Sequence, residues 1–254
     1  NCMRGGPGLG TIQPGQGDYF QATRGGGNGD YRTVVLSPSN IQEAVDFVQE
    51  AFDIADQYRN PVMVVMDGLI GQMMEPIEWR PVPKRNLPPK DWATTGRKGR
   101  DHHNVLNSLY MDPESCDVHN QNLAKKFEEM TKNEVRWETN FCEDAELLIT
   151  AYGTPARIAL TAIDALRAEG IKVGLFRPIS LWPFPEQALR EVAWQDSVKT
   201  ILDVEMSSTG QMLDDVRLSV EGRKPIHYLG RAGGVIPTVE EMIDAAKAAL
   251  KEVK

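Results

Sequence analysis

The stretch that decides the fold is ELLITAYGTPARIALTAIDALRAEGIKVGLF, residues 146–176. Its first six residues are mostly apolar and predict a buried strand. Thr154 followed by Pro155 predicts the start of a helix, with Thr154 as the N-cap, and Gly170 is expected to end it. The last six residues form a second apolar run. Strand, helix and strand in this order indicate a unit of a parallel α/β sheet.

The sequence downstream of this stretch repeats the alternation of strand and helix. Thr238 and Glu241 have the spacing of a capping box and predict the start of a final helix. A compact, mainly parallel α/β domain is therefore expected over residues 141–254. Its further strands are expected at 198–204 and 226–229, and its further helices at 186–192 and 211–220.

The sequence upstream predicts a second α/β unit within residues 1–75. A short strand at 33–36 is followed by Ser39 and Gln42, whose spacing predicts a capping box and a helix start at Ser39. A nearly continuous apolar strand is expected at 62–66, which suggests a parallel crossover unit. The helix between the strands is expected to face the core with Ile41, Val45, Val48, Phe52 and Ala55.

Residues 76–140 are predicted to form a connecting arm. Five prolines between Pro76 and Pro89 favour extended backbone, and basic residues are interspersed with little apolar periodicity. A largely exposed helix is expected from Pro113 to Trp137. The segment LWPFP, residues 181–185, is expected to pin a loop onto its own domain rather than to bind a partner.

The composition excludes several classes of function. The net charge of −8 disfavours binding to nucleic acid or to an anionic membrane surface, and no apolar run is long enough to cross a bilayer. A cytoplasmic protein is expected. The three cysteines and four histidines lack the spacings of iron–sulfur or zinc sites, and the glycine motifs of dinucleotide and P-loop sites are missing. No metal ligands are assigned to this chain.

The first ten residues, NCMRGGPGLG, bring an arginine next to a glycine-rich turn. Ten of the 22 glycines fall within residues 1–30. Arg4 can bind a carboxylate through two parallel hydrogen bonds, and the neighbouring glycines leave room for a small acid. The alternative is that Arg4 only braces the loop or pairs with Asp18.

Several long blocks of the chain resemble the alpha subunit of 2-oxoacid:ferredoxin oxidoreductases. They include RGGPGLGTIQPGQGDYFQATRGGGNGDYRTVVLSPSNIQEA at 4–44, YRNPVMVVMDGLIGQMMEP at 58–76, FRPISLWPFP at 176–185 and VEMSSTGQMLDDVR at 204–217. The resemblance covers nearly the whole chain. It is most similar to the branched-chain (2-oxoisovalerate) type, followed by the 2-oxoglutarate type.

The resemblance implies a fold and an activity. The expected fold is a partial thiamine-diphosphate-binding domain of the pyrimidine type, 1–75, then the arm, 76–140, then a domain like the C-terminal domain of transketolase, 141–254. The expected activity is oxidative decarboxylation of a 2-oxoacid to an acyl-CoA, with electrons passed to ferredoxin. Thiamine diphosphate and Mg²⁺ would be shared with a partner subunit, 4Fe-4S clusters would lie in partner subunits, and coenzyme A would be the co-substrate. The expected partners are beta, gamma and in some cases delta subunits.

The resemblance also implies site residues. Arg4 matches the arginine that takes the substrate carboxylate, and Gln16 and Asp18 lie in the following loop near the pyrimidine of the cofactor as further catalytic residues. Gly5 and Gly6 are expected to bind the cofactor, in a loop near its pyrimidine. Members of the family carry roughly a hundred further residues before this region, including a glutamate that activates the cofactor. The chain alone is therefore expected to be inactive.

Two other functions remain open from the sequence. The chain could be a non-catalytic assembly or binding module that kept the fold, or part of a thiamine-diphosphate enzyme that does not use ferredoxin. The basic arm could contact ferredoxin or the phosphates of coenzyme A, although a solvated connector that wraps a neighbouring subunit fits such a charge run better.

Overall fold

The computed structural model describes residues 1–82, 84–97 and 99–253. Its first part contains short strands, two helices and a 3-10 turn at Ile70–Gln72, and the arm contains one long helix. The elements in chain order are β1 (Cys2–Met3), α1 (Tyr19–Arg24), β2 (Val34–Leu36), α2 (Ile41–Tyr58), β3 (Val62–Val64), β4 (Met66–Asp67) and α3 (Pro113–Asn133).

The second part alternates strands and helices, as the sequence predicts. The elements are β5 (Trp137–Asn140), β6 (Leu147–Thr150), α4 (Gly153–Ala168), β7 (Val173–Pro178), β8 (Ser180–Trp182), α5 (Glu186–Ala193), β9 (Thr200–Glu205), α6 (Met212–Val220), β10 (Ile226–Gly230) and α7 (Val239–Glu252). The capping box expected at the start of α7 is present, with Thr238 and Glu241 as its two residues.

The largest sheet has five strands in the order β10-β9-β6-β7-β5. Four of its strands run parallel, and β5 joins the edge antiparallel to β7. The chain leaves β6 for β7 on one side and later returns to β9 on the other side of β6. The gap between the ends of β6 and β9 is therefore a topological switch point, the place where open α/β sheets usually bind ligands.

Two smaller sheets belong mostly to the first part of the chain. Strand β1 pairs parallel with β4, and β2 pairs parallel with β3, so the predicted β2–α2–β3 unit is present. The single strand expected at 62–66 is wrong, because β3 ends at Val64 and Met66 belongs to β4 in the other sheet. Strand β8 pairs antiparallel with β2, with Trp182 opposite Val35. The LWPFP segment was expected to pin a loop, but its first two residues belong to a strand that ties the second part of the chain to the first.

The predicted start of α2 is wrong by one residue. Asn40, not Ser39, is the N-cap, and its side chain accepts a hydrogen bond of 2.8 Å from the backbone N–H of Glu43. The Glu43 carboxylate in turn accepts from the backbone N–H of Ser39 at 2.7 Å. Ser39 and Asn40 are both polar, and both form hydrogen bonds with Glu43. Asn40 accepts one through its side chain, and Ser39 donates one through its backbone N–H.

The predicted inward face of α2 is also wrong. Phe52 is 72% exposed and Val48 is 45% exposed. The helix has a second apolar stripe, and this one packs against β2, β3 and Met130 of α3 because both strands lie on that side. Its buried residues are Ala44, Phe47, Ile54 and Tyr58.

Helices α3 and α4 differ from their predictions at one end each. Helix α3 ends at Asn133, and Trp137 begins strand β5 instead of closing the helix. Helix α4 has Tyr152, not Thr154, at its N-cap position, and Tyr152 makes no side-chain cap. Thr154 lies in the first turn, where Asp67 from another strand binds it. No helix in the described part of the chain is long and apolar enough to cross a membrane.

Candidate active site

The loop after β1 enters the switch point between β6 and β9. Gln16 is fully buried there. Its amide Nε2 donates to the carbonyl of Tyr152, just after β6, at 2.9 Å, and its Oε1 accepts from the backbone N–H of Met206, just after β9, at 2.8 Å. The backbone N–H of Gln16 also donates to the carbonyl of Met206 at 2.8 Å. A side chain of the first part thus occupies the position where such a sheet usually receives a ligand.

A second glutamine, in the second part of the chain, also binds this loop. Gln211, at the start of α6, donates through Nε2 to the carbonyl of Gly17 at 2.7 Å and accepts through Oε1 from the backbone N–H of Phe20 at 2.7 Å. The hydroxyl of Tyr19 donates to Asp215 of α6 at 2.5 Å. Helix α1 and the loop before it are therefore bound to α6.

The glycine-rich turn packs backbone to backbone against residues 233–234 of the second part. The hydroxyl of Thr11 donates to the carbonyl of Gly233 at 3.2 Å. A Cβ on Gly5 would lie 2.8 Å from the carbonyl carbon of Gly233, and one on Gly234 would lie 2.3 Å from Cβ of Gln13. Glycine is required at both places, at Gly5 because the backbone of Gly233 is too close for a side chain and at Gly234 because the side chain of Gln13 is, with a φ of +106° that also favours glycine.

Arg4 is exposed, and its guanidinium contacts its own loop. Nη1 donates to the carbonyls of Leu9 at 2.7 Å and Gly5 at 3.3 Å, and Nη2 donates to the carbonyl of Gly8 at 3.0 Å. Arg4 therefore braces the loop, which was one of the alternatives, and it makes no ion pair with Asp18 within the described residues. A guanidinium has five donors. Three are used here, and two face no acceptor among the described residues.

The other predicted site residues have different surroundings. Asp18 is half-buried at the N-cap position of α1, its side chain makes no cap, and no described residue donates to its carboxylate. Gly5 is buried against the second part of the chain, whereas Gly6 is exposed with no atom near a Cβ position. The structure thus gives Gly5 a packing reason. The roles of Gln16, Asp18, Gly5 and Gly6 beside a cofactor stay predictions.

Asp67 connects β4 to helix α4 and was missed by the sequence analysis. It is fully buried. Oδ2 accepts from the backbone N–H of Thr154 at 2.9 Å, and Oδ1 accepts from the Thr154 hydroxyl at 2.7 Å. Oδ1 also accepts from the backbone N–H groups of Leu69 and Ile70. A carboxylate at a helix N-terminus satisfies orphan N–H groups and interacts favourably with the helix dipole.

Two buried acids lie below the switch point on β9. Glu205 accepts from the backbone N–H groups of Gln211, Met212 and Leu213 and so caps α6. Asp203 accepts from the Thr150 hydroxyl at 2.7 Å. Burial, with Glu205 beside it, raises the pKa of the Asp203 carboxyl well above its usual value.

Tyr152 lies near these two acids, Asp203 and Glu205. It is fully buried, and its hydroxyl has no hydrogen-bond partner among the described residues. Burial raises the pKa of the Tyr152 hydroxyl well above its usual value, and Glu205 and Asp67 raise it further. Within the described ranges, no group of three or more His, Cys, Asp and Glu side chains is placed to hold a metal ion.

Comparison with known proteins decides the family. Residues 1–138 match the family described as pyruvate flavodoxin/ferredoxin oxidoreductase, thiamine diP-bdg, and residues 145–242 match core domain II of pyruvate:ferredoxin oxidoreductase. The chain belongs to the 2-oxoacid:ferredoxin oxidoreductase family. The resemblance stated from the sequence blocks is confirmed.

Relatives of the oxidoreductase family align along almost the whole chain. The ketoisovalerate oxidoreductase subunit VorB of Methanothermobacter thermautotrophicus is 42% identical over 96% of this chain and 68% of its own length. The 2-oxoglutarate synthase subunit KorA of Methanothermobacter marburgensis is 31% identical over 96% of this chain and 71% of its own length. The expected oxidoreductase class is therefore confirmed, with these two types among its relatives.

Solved structures support the fold of this oxidoreductase chain. It is similar to 2-oxoglutarate:ferredoxin oxidoreductase from Magnetococcus marinus, solved with 2-oxoglutarate, coenzyme A and succinyl-CoA bound, with a TM-score of 0.79 and 20% identity. A split gene transketolase, an inactive beta4 tetramer, matches with a TM-score of 0.50 and 16% identity. The expected fold class, thiamine-diphosphate-binding followed by transketolase-like, is confirmed. The chain covers 48% of the first of these structures and 58% of the second.

The residues that sequence reasoning missed in this family member share one signal. Asp67 and Glu205 are acids at the last positions of strands β4 and β9, and each caps a helix whose start lies elsewhere in the chain or several residues on. The ends of parallel strands meet at one edge of a sheet. An acid at such an end was visible in the sequence, but its partner helix was not.

Proposed function

We propose that the chain is a subunit of an enzyme that oxidatively decarboxylates a branched-chain 2-oxoacid to an acyl-CoA, with electrons passed to ferredoxin. The proposal rests first on the relatives named for ketoisovalerate and 2-oxoglutarate. The single structural observation that supports it is the exposed guanidinium of Arg4. Its loop contacts leave two donors, the number that a carboxylate takes in a bidentate pair.

The contacts of Arg4 suit a substrate that must lose its carboxylate. Three carbonyls orient the guanidinium before substrate binds, so little freedom is lost on binding. The same carbonyls share its positive charge. A carboxylate held too strongly in the ground state would raise the barrier to release of carbon dioxide, whereas an orienting contact does not.

The same loop favours a branched aliphatic side chain over a second carboxylate. Leu9 is 95% exposed and Ile12 is 80% exposed, so apolar surface lies in the loop next to the guanidinium. Arg4 is the one basic residue between positions 1 and 23 of the sequence. A dicarboxylic 2-oxoacid would need another cation, which this loop does not offer.

The described residues fit part of a thiamine diphosphate site. When bound, the cofactor supplies the carbanion that adds to the keto carbon. Asp18 has a half-buried carboxylate without a donor, and it could accept a hydrogen bond from the pyrimidine amino group. Mg²⁺, 4Fe-4S clusters and the ferredoxin contact are proposed to lie with the beta, gamma and delta subunits, and coenzyme A is proposed as the acyl acceptor.

The test uses the assembled enzyme, with a full-length version of this chain and its sister subunits. Reduction of a viologen dye is followed with 2-oxoisovalerate and with 2-oxoglutarate. Arg4→Ala should raise KM for the 2-oxoacid about 10- to 100-fold, because a hydrogen bond to a charged group contributes about 1.5–3 kcal/mol. Arg32→Ala is the matched control, since Arg32 is exposed and donates to its neighbour's carbonyl.

Three outcomes would refute parts of the proposal. Unchanged KM in Arg4→Ala removes Arg4 from the substrate site. A higher kcat/KM with 2-oxoglutarate than with 2-oxoisovalerate overturns the branched-chain assignment. Absence of 2-oxoacid-dependent dye reduction by the assembled wild-type subunits favours the assembly-module alternative.

A further inference from the structure

We infer that Gln16 is a positioning residue that seats the Arg4 loop in the switch point of the five-stranded sheet and thereby fixes where Arg4 meets the substrate. The inference rests on the proposed function of Arg4. It assigns the second part of the chain a task in substrate binding, although none of its side chains contacts the guanidinium of Arg4 among the described contacts.

The backbone groups at the switch point suit a glutamine side chain. One backbone acceptor, the carbonyl of Tyr152, and one backbone donor, the N–H of Met206, face the crevice. A planar amide carries a donor and an acceptor on one head and satisfies both. Glutamate could not donate to Tyr152, and an apolar residue would leave both backbone groups buried without partners.

Direct backbone contacts connect the segment of Gln16 to Arg4. Pro14, two residues before Gln16, forms an antiparallel bridge with Arg4. Between them, a Cβ on Gly15 would lie 2.8 Å from the carbonyl oxygen of Arg4, so the two strands of the loop are in direct contact. A shift of Gln16 therefore moves the backbone that carries the guanidinium.

The turn at the tip of the loop has its own contact with the second part. Gly5 N–H donates to the carbonyl of Gln13 at 2.8 Å, and Thr11 N–H donates to the carbonyl of Gly5 at 2.8 Å. The Thr11 hydroxyl binds the carbonyl of Gly233. Hydrogen exchange at the backbone N–H groups of Gly5 and Thr11 therefore measures how often the loop opens, and it can be measured without substrate.

The first measurement is hydrogen exchange in the assembled enzyme. Gln16→Met keeps the side-chain volume and removes the two hydrogen bonds that the side-chain amide makes with Tyr152 and Met206. We expect exchange at residues 5–13 to become about tenfold faster or more, since local opening free energies set exchange rates, with strands β7 and β10 unchanged. Gln21→Met is the control, because Gln21 is exposed on α1. Unchanged loop exchange, or equal acceleration across the sheet, overturns the inference.

The second measurement separates positioning from general stability. Gln16→Met should raise KM for the 2-oxoacid about fivefold or more while KM for coenzyme A stays unchanged, because remote misplacement of a binding group weakens only its own contact. An equal change in both KM values overturns the inference. If Gln16→Met fails to assemble, Thr11→Val replaces it, since this exposed change removes the two hydrogen bonds of the Thr11 hydroxyl, to the carbonyl of Gly233 and from the backbone N–H of Gln13. It should change exchange and KM in the same direction to a smaller extent, and no change in either overturns the inference.

Failure of this inference differs from failure of the proposed function. If Arg4→Ala leaves KM unchanged, the proposed role of Arg4 is wrong and the link from Gln16 to substrate falls with it. If Arg4→Ala raises KM but Gln16→Met changes neither loop exchange nor KM, the role of Arg4 stands and the positioning role of Gln16 is wrong.

Discussion

The junction around the switch point and the connecting arm show two ways in which parts of one chain are joined. At the junction, buried polar groups meet across long sequence distances, as Gln16 does with Tyr152 and Asp67 with Thr154. Along residues 76–112, the part of the arm before α3, exposed ion pairs prevail, such as Lys90 with Asp56 at 2.5 Å. Buried polar contacts are costly to break, whereas exposed ion pairs contribute little. The junction is therefore expected to be specific and rigid, and residues 76–112 weakly held.

The arm has one exception, which sharpens the comparison. Arg85 donates to both carboxylate oxygens of Glu134, at 2.6 and 2.9 Å, and Glu134 is only 1% exposed. The hydroxyl of Tyr58 donates to the same carboxylate at 3.1 Å. Residues 76–112 are thus fixed to α2 and to the end of α3 at one buried point among the described contacts.

The largest effect is expected at the junction. Asp67→Ala leaves the buried N–H groups of Thr154, Leu69 and Ile70 without an acceptor. The free energy of unfolding should fall by about 3–4 kcal/mol, since each unsatisfied buried group costs about 1–3 kcal/mol and part of the loss is relieved by relaxation. Thermal denaturation measures this change. Asp117→Ala, on the exposed face of α3, is the control and should leave the midpoint unchanged.

The next effect is expected at the buried point of the arm. Arg85→Ala leaves the buried Glu134 carboxylate with the hydroxyl of Tyr58 at 3.1 Å and one described cation, Arg136, at 3.4 Å. We expect a loss of about 2–3 kcal/mol, somewhat less than for a fully buried pair because Arg85 is partly exposed. The same denaturation experiment tests it. A loss of unfolding free energy no larger than that expected for an exposed ion pair would show that Arg85 does not attach the arm to the buried Glu134.

A pH-dependent effect is expected from Asp203. Because burial and Glu205 raise its pKa in the folded chain, the carboxyl stays protonated there while it ionises in the unfolded chain above about pH 4. Unfolding then releases a proton, and stability falls as pH rises from the unfolded pKa towards the folded one, by at most about 1.4 kcal/mol per unit. Asp203→Asn should flatten this slope on the alkaline side of the unfolded pKa. Parallel curves for both proteins would show that Asp203 is ionised in the fold.

The smallest effect is expected on the exposed side of the arm. Lys90→Ala removes an ion pair whose lysine side chain is 54% exposed. The unfolding free energy should change by no more than about 0.5 kcal/mol, because such pairs are solvated and screened by salt. A loss as large as that of Arg85→Ala would contradict the distinction between the two parts of the arm.

Local patterns sufficed to predict most of the alternating strands and helices of the second part. The strand–helix–strand order of the 146–176 stretch and the Thr238 capping box are present as expected because each depends on neighbours in the sequence, whereas helix α1 and strand β5 were not predicted. The orientation of α2 was not predictable, since it carries two apolar stripes and the strands β2 and β3 select one. Strand β8 was missed for the same reason, because only its pairing with β2 makes it a strand.

The candidate site was predictable only in part. Arg4 and its glycine-rich turn were identified from the sequence, as was the loop with Gln16 and Asp18. That Gln16 would be buried between two strands of the second part was not predictable, because its partners are backbone groups more than a hundred residues away. The boundaries of the expected domains, 1–75, 76–140 and 141–254, stay a prediction.

A double-mutant cycle between Gln16 and Arg4 tests the central claim most directly. KM for 2-oxoisovalerate is measured in the assembled enzyme for wild type, Arg4→Ala, Gln16→Met and the double variant. If Gln16 acts by placing Arg4, Gln16→Met raises KM in the wild type but changes it less than about twofold in the Arg4→Ala background. Independent multiplication of the two effects would contradict the claim that the loop seated in the second sheet fixes the substrate-binding arginine.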